Sequence, residues 1–283
     1  MNSRIKRYIA MVGDLPSVPA VASAVLQVAG DPASSADDLR QVIDRDPALS
    51  ARILKVSNSS LYSFSRKIET VQHSIALLGF RTVTNIVMAA SLREVFTHFG
   101  LAEKQLWEHS TLAGTVAARL TEHAAIDVDR EEAFTAGLLH DLGKIALNNT
   151  SRKKYTNVLA KVYNEGVSFT SAELEEFGFD HAELGACVAA KWKLSSSLEN
   201  AIRYHHDPEG LAGLSPEDRR LTALTSVATA CCTRLGVGRR APVEELHVGE
   251  LWSWAELGLG DEDVEPVLEM ASEEVKQAEG LFG

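Results

Sequence analysis

Apolar residues return along most of this chain at intervals of three and four, the spacing that gathers them on one face of an α-helix. Leu39, Val42 and Ile43 form such a stripe, and Ser35 with Asp38 makes a capping-box pattern ahead of them. Asp46-Pro47 sets a cap residue before a proline at the first helical position, with Leu49, Ile53 and Val56 following at helical spacing. Thr70 can cap a helix through Ile75 and Leu78 that Gly79 ends. The same periodicity predicts helices over about 81–98, 103–123, 129–147, 152–164, 181–192, 195–205, 216–235 and 263–280. The connections are short and rich in Gly, Asp, Asn and Ser, and no alternating β-branched run is bounded by turn residues. An all-α protein is expected.

A soft boundary falls near 98–103, around His98-Phe99-Gly100. It divides the 283 residues into an N-terminal helical part (1–100), a helical bundle (101–240) and an acidic C-terminal helical extension (241–283). The net charge of −11 resides in that extension: from Val243 onward there are 12 acidic residues and one basic residue, Lys276. The remainder is neutral, with 27 of each sign, and lacks the basic stripe that a phosphate backbone attracts. Nucleic acid is therefore not an expected direct partner. The helix after Pro242 is expected to dock with its acidic face in solvent, through apolar positions such as Val264, Val267, Leu268 and Val275. Cys187, Cys231 and Cys232 show no C-x-x-C spacing and read as small buried residues in a reducing compartment. Arg4, Lys6 and Arg7 precede an apolar stretch that Asp14, Pro16 and Pro19 interrupt, and no run approaches the ~20 apolar residues of a membrane span. These features lead to an expectation of a cytoplasmic protein without a membrane partner.

The strongest local signal for chemistry is Ala136-Gly-Leu-Leu-His140-Asp141-Leu-Gly-Lys144. An imidazole beside a carboxylate in an apolar helix is costly to bury unless both ligate one cation. A His-Asp pair alone is weak evidence, since His206-Asp207 is another. His109, His181 and His205-His206 lie in the same hundred-residue segment. Singly, His109 reads equally as a core histidine, and His181, His205 and His206 as residues at helix ends. His73, His98, His123 and His247 have no evident partners.

In that order, His109, the His140-Asp141-Leu-Gly-Lys144 run, His181 and His205-His206 resemble the HD superfamily of metal-dependent phosphohydrolases. Leu15-Pro-Ser-Val-Pro19, Asp44-Arg-Asp-Pro-Ala48, Ile53-Leu-Lys-Val-Ser-Asn58 and Ser74-Ile-Ala-Leu-Leu-Gly79 look like the HDOD domain, the HD-related output domain of bacterial signalling. The resemblance covers about residues 12–236 and implies an HD-like bundle with an added N-terminal helical subdomain. It implies one metal position at His109, His140, Asp141 and a late aspartate, and a second at Asp141, His181, His205 and His206. Iron, manganese or zinc is the implied ion.

The departures from that pattern carry equal weight. Aligned on Leu235-Gly236, the late aspartate falls on Thr229, a neutral and weak ligand. The segment after His206 also lacks the Gly-Tyr-Pro element of the cyclic-dinucleotide phosphodiesterases. Two-metal hydrolysis needs both ions. The leading expectation is a non-catalytic or weakly catalytic signalling or scaffold module, acting through signalling proteins or a nucleotide-type small ligand. The alternative is a metal-dependent phosphohydrolase acting on a nucleotide or cyclic dinucleotide, with metal on Asp141 and Lys144 steadying phosphate. A metal-free structural protein is a third. The oligomeric state is open.

Overall fold

The computed structural model describes residues 3–58, 67–123 and 126–278. The side chains of Val56 and His123, both singled out above, lie outside this set. Among the described residues there is no strand, and the fold is all-α as expected. Two compact units divide the chain at places other than 100 and 240.

The smaller unit comprises Val18–Val95 together with the chain from Glu269. It holds α2 (Ala20–Gly30), α3 (Ala36–Ile43), α4 (Pro47–Ser57), α5 (Val71–Leu78) and α6 (Phe80–Leu92). The sequence signals for these helices act as local chemistry requires. Ser35 Oγ accepts from the Asp38 amide while Asp38 reaches back to the Ser35 amide. The Leu49 amide donates to Asp46 Oδ1, and the His73 amide donates to Thr70 Oγ1. Their apolar stripes meet in one core that includes Val25, Leu39, Ile43, Leu49, Ile53, Ile75 and Val87.

The larger unit joins Met1–Ser17 to Phe96–Leu268. Its helices are α1 (Ser3–Val12), α7 (Leu101–His123), α8 (Arg130–Leu139), α9 (Leu142–Thr150), α10 (Arg152–Glu165), α11 (Phe169–Phe177), α12 (His181–Lys191), α13 (Ser196–Tyr204), α14 (Pro216–Arg234), α15 (Trp252–Glu256) and the first turn of α16 (Val264–Ala278). Helix α1 was not predicted. Its Tyr8 lies edge-on to Phe177 and Phe179, and its hydroxyl bonds Thr150 and Ser151. Helices α2, α11 and α15 were likewise not predicted. The Trp254 indole is buried and donates to the Gly260 carbonyl. Val267 and Ala271 form the inward stripe of α16.

One expected element is split. The helix predicted over 129–147 ends at Leu139 and restarts at Leu142. Between them His140 is helical, while Asp141 (φ −96°, ψ 14°) sits in the sparsely allowed bridge region. Adjacent residues of an unbroken helix point about 100° apart. The break lets neighbouring side chains enter one site.

Candidate metal centre

Five helical segments of the larger unit deliver the site. His109 comes from α7, His140 from the end of α8, Asp141 and Lys144 from α9, His181 from the start of α12, and His205-His206 from the end of α13. All six candidate ligands converge. His109, His140 and Asp141 form one group and His181, His205 and His206 another, each with donor atoms within 4.8 Å of one another. The imidazoles form a continuous file, with ring centroids 5.3 Å apart for His109–His140, 5.1 Å for His140–His205, 5.5 Å for His181–His205 and 4.0 Å for His205–His206. His140, His181 and His205 are fully buried, and His206 is exposed to the cleft above them. Of the histidines without evident partners, His73 and His98 line no part of this site.

Gly143 explains the small residue in the His-Asp-Leu-Gly-Lys run. A Cβ there would collide with the backbone of His181, so α9 and α12 approach at van der Waals distance. That closeness lets Asp141 reach His181. Asp180 caps α12 by accepting from the Glu183 amide, which sets His181 in its first turn.

The orientation of each imidazole is fixed from behind. Nδ1 of His109 lies 3.1 Å from the Val237 carbonyl, that of His140 2.6 Å from the Gly137 carbonyl, and that of His205 2.8 Å from the Ile202 carbonyl. Nδ1 of His181 lies 2.6 Å from Glu173 Oε2. A carbonyl can only accept, so Nδ1 carries a proton in His109, His140 and His205, and Nε2 of each faces inward. Burial holds His109 and His181 down to about 3, so both are neutral bases at ordinary pH.

The inward nitrogens face Asp141. Nε2 stands 3.3 Å (His140) and 4.0 Å (His109) from Asp141 Oδ2, and 3.4 Å (His181) from Oδ1. Burial alone would push the Asp141 carboxyl up, but His140 and Lys144 outweigh it and hold it well below the usual carboxylate range. An ionised carboxylate facing the Nε2 lone pair of the neutral His109 ring is acceptor against acceptor. Nε2 of His140, His181 and His205 and Oδ1 of Asp141 are buried without a hydrogen-bond partner. A divalent cation resolves this conflict, since it accepts every one of those lone pairs. The donor set fits a metal.

The two positions are not equivalent. His181, His205 and His206 form one group, and Asp141 Oδ1 stands 3.4 Å from His181 Nε2. His109, His140 and Asp141 form the other group; Thr229, on which the late aspartate was expected to fall, lines the same cleft, and its hydroxyl donates to the Thr225 carbonyl of its own helix at 2.8 Å. Asp141 is the sole carboxylate among the described residues lining the cleft.

The cleft occupies about 380 Å³ above the centre. Lys144 crosses its floor, with Nζ 2.9 Å from Asp141 Oδ2 and 4.2 Å from the Phe169 ring centre. Sequence reasoning missed Glu173, Phe169 and Arg239. Glu173 lies in an acidic run, Glu173-Leu-Glu-Glu176, that reads as a solvated face. In the fold it is completely buried, and burial pushes its carboxyl up to about 8. Only its position behind His181 reveals a role.

Comparison with known proteins accords with this architecture. A crystal structure of an HDOD domain protein of unknown function from Geobacter sulfurreducens superposes with a TM-score of 0.82 at 25% identity, covering 99% of this chain and 96% of that one. A protein from Shewanella amazonensis SB2B, named a candidate phosphohydrolase, matches with a TM-score of 0.75 at 22% identity over 99% and 97%. A candidate signal transduction protein from Marinobacter aquaeolei VT8 matches with a TM-score of 0.71 at 22% identity, over 99% of this chain and 62% of that one. At those identities the last two share the fold. An uncharacterised protein of Treponema pallidum (strain Nichols) is 24% identical over 199 residues. That match takes in 69% of this chain but 38% of the curated relative. The HDOD domain profile matches residues 15–208, more than half of the sequence, and this chain belongs to the HDOD domain family.

Proposed function

We propose that the chain is a signalling module that holds one divalent cation at Asp141, His181, His205 and His206 and works by binding rather than by hydrolysis. The observation that carries this reading is Thr229. Its hydroxyl donates to its own helix and offers a cation only a neutral oxygen, and no further described carboxylate enters the cleft beside His109 and His140. A neutral oxygen does not replace the charge of a carboxylate ligand. In two-metal sites the paired ions stabilise both the attacking and the leaving oxygens, so one weakened position disables that clamp. The remaining cation would serve as a Lewis-acid anchor for a ligand in the cleft.

Metal analysis of protein purified without chelators tests this. About one equivalent of iron, manganese or zinc per chain is expected, with no turnover across a phosphomonoester and phosphodiester panel in added manganese. Turnover abolished by Asp141→Ala would overturn the proposal. It would establish the second reading, a metal-dependent phosphohydrolase, which the convergence of all six ligands with Lys144 favours. The partners of such a module would be a signalling protein or a small anionic ligand, reached from a reducing interior.

A further inference from the structure

Two walls of the cleft are bridged by a cluster that the metal centre does not use. Tyr163, in the last turn of α10, and Phe169, at the start of α11, meet edge to face with ring centres 6.3 Å apart. Two consecutive cations from the loop after α14 lie over these rings. The Arg240 guanidinium carbon is 4.8 Å from the centre of Tyr163, and that of Arg239 is 5.8 Å from the centre of Phe169. Tyr163, Phe169 and Arg239 all line the cleft, so the contacts join the α10–α11 wall to the α14 wall. Among the described residues neither guanidinium has a carboxylate partner. A weakly hydrated, planar guanidinium stacks on an aromatic face without needing an acid, and here two in succession do so.

The supports on both sides are fixed. On the α14 side, Val237 is buried and its carbonyl accepts from His109 Nδ1. Gly238 has φ +67° and lies so close to α7 that a side chain there would strike the Gln105 carbonyl. The neck of the loop is equally tight, since a Cβ on Gly236 would strike Pro242. On the other side, Gly166 ends α10 in the left-handed region (φ +72°), and Ser168 caps α11 by accepting from the Ser171 amide. Swinging either backbone would break these contacts. Arg240 is exposed, and exposed side chains change rotamer in picoseconds to nanoseconds. The movable parts are therefore the two guanidiniums.

We propose that Arg239 and Arg240 form a side-chain latch across the mouth of the cleft, which sets how fast ions and small molecules pass in and out. Each cation–aromatic contact is weak enough to release repeatedly, and together they slow passage about tenfold. Arg240, with the shorter contact, carries most of this. A latch of equal strength over the empty and the filled cleft lowers entry and exit rates by one factor and leaves affinity unchanged. That separates a gate from a ligand, whose loss changes affinity.

Stopped-flow absorbance of the full chain with cobalt(II) tests the latch, following loading of chelator-stripped protein and removal of the ion by dipicolinate. Arg240→Ala should raise both rates about tenfold while the dissociation constant stays within about twofold. Tyr163→Leu removes the other half of the same contact and should match it, with the double variant no faster than either single one. Arg240→Lys keeps a cation over the ring and should stay near the parent. Unchanged rates in both single variants overturn the latch, as do a changed affinity and additive effects in the double variant. A second measurement needs no metal. In stripped protein, diethyl pyrocarbonate should modify His206, which lines the cleft, at least threefold faster in Arg240→Ala than in the parent, with the exposed His73 as an unchanged reference. Equal His206 rates overturn the latch. A chain that takes up no cobalt overturns the proposed function instead, and the His206 rates then decide the latch alone.

Discussion

The two ends of the imidazole file use the same chemistry with different completeness. At the His181 end, His181, His205 and His206 stand together with Asp141 Oδ1 3.4 Å from His181 Nε2, and a buried carboxylate backs His181. At the His109 end, two imidazoles and Asp141 Oδ2 face a threonine whose hydroxyl is already engaged. His109 and His140 are backed by backbone carbonyls, as His205 is at the other end. The difference is one ligand: a third imidazole at the first end, a threonine hydroxyl at the second. On the proposed reading a metal position would be lost without disturbing the packing around it, because Thr229 keeps its place in the helix and bonds back to it.

The comparison breaks most completely at Asp141, the residue both ends share. Asp141→Ala should abolish metal retention at both, a loss of affinity above the 10–100-fold typical of outer partners. Metal content by mass spectrometry after dialysis checks it, and retained stoichiometric metal would refute the shared ligand. A clear asymmetry should come next. His205→Ala should remove the single equivalent of metal, while His109→Ala should leave most of it. Equal losses would mean that the two positions do not differ as the ligand sets imply.

A smaller effect is expected behind the ligands. Glu173→Gln keeps the shape of the side chain but weakens the acceptor that orients His181 Nδ1, and should lower metal affinity by roughly 10–100-fold. Competition against a chelator measures it, with thermal melting of the stripped protein to separate metal binding from folding. The least effect, and the sharpest test of the comparison, is Thr229→Asp. Restoring a carboxylate should add a second equivalent in manganese titration, with about tenfold tighter binding at that end than in the parent. No second equivalent would place the missing ligand elsewhere on α14.

Of the candidate ligands, His140 and Asp141 were legible because such a pair in an apolar run is costly without a cation, while His109, His181, His205 and His206 were picked out by the resemblance. The helices of the smaller unit were legible from caps at Ser35, Asp46 and Thr70, since a cap is a bond between residues three apart. The break at Asp141 was not legible. Periodicity continues across it, and only packing of Gly143 on the backbone of His181 requires the turn. Glu173 and Arg239 were hidden for a similar reason. One sits in an acidic run and the other in a basic pair, patterns that read as solvated charge until the chain folds over them.

Sequence alone thus determined the helical class, the caps, the six candidate ligands and the carboxylate absent at Thr229, because each depends on residue identity or on neighbours within one or two helical turns. The tertiary structure decided which nitrogen of each imidazole faces inward, which acid stands behind His181, and where a cation pair meets a cleft. The His109–Val237 bond spans 128 positions, whereas the bonds behind His140, His205 and His181 span three to eight, yet each shows its meaning only once the fold turns those rings into one site. No local pattern encodes that convergence. Burial creates it, by leaving a polar atom no partner but the one that the fold brings.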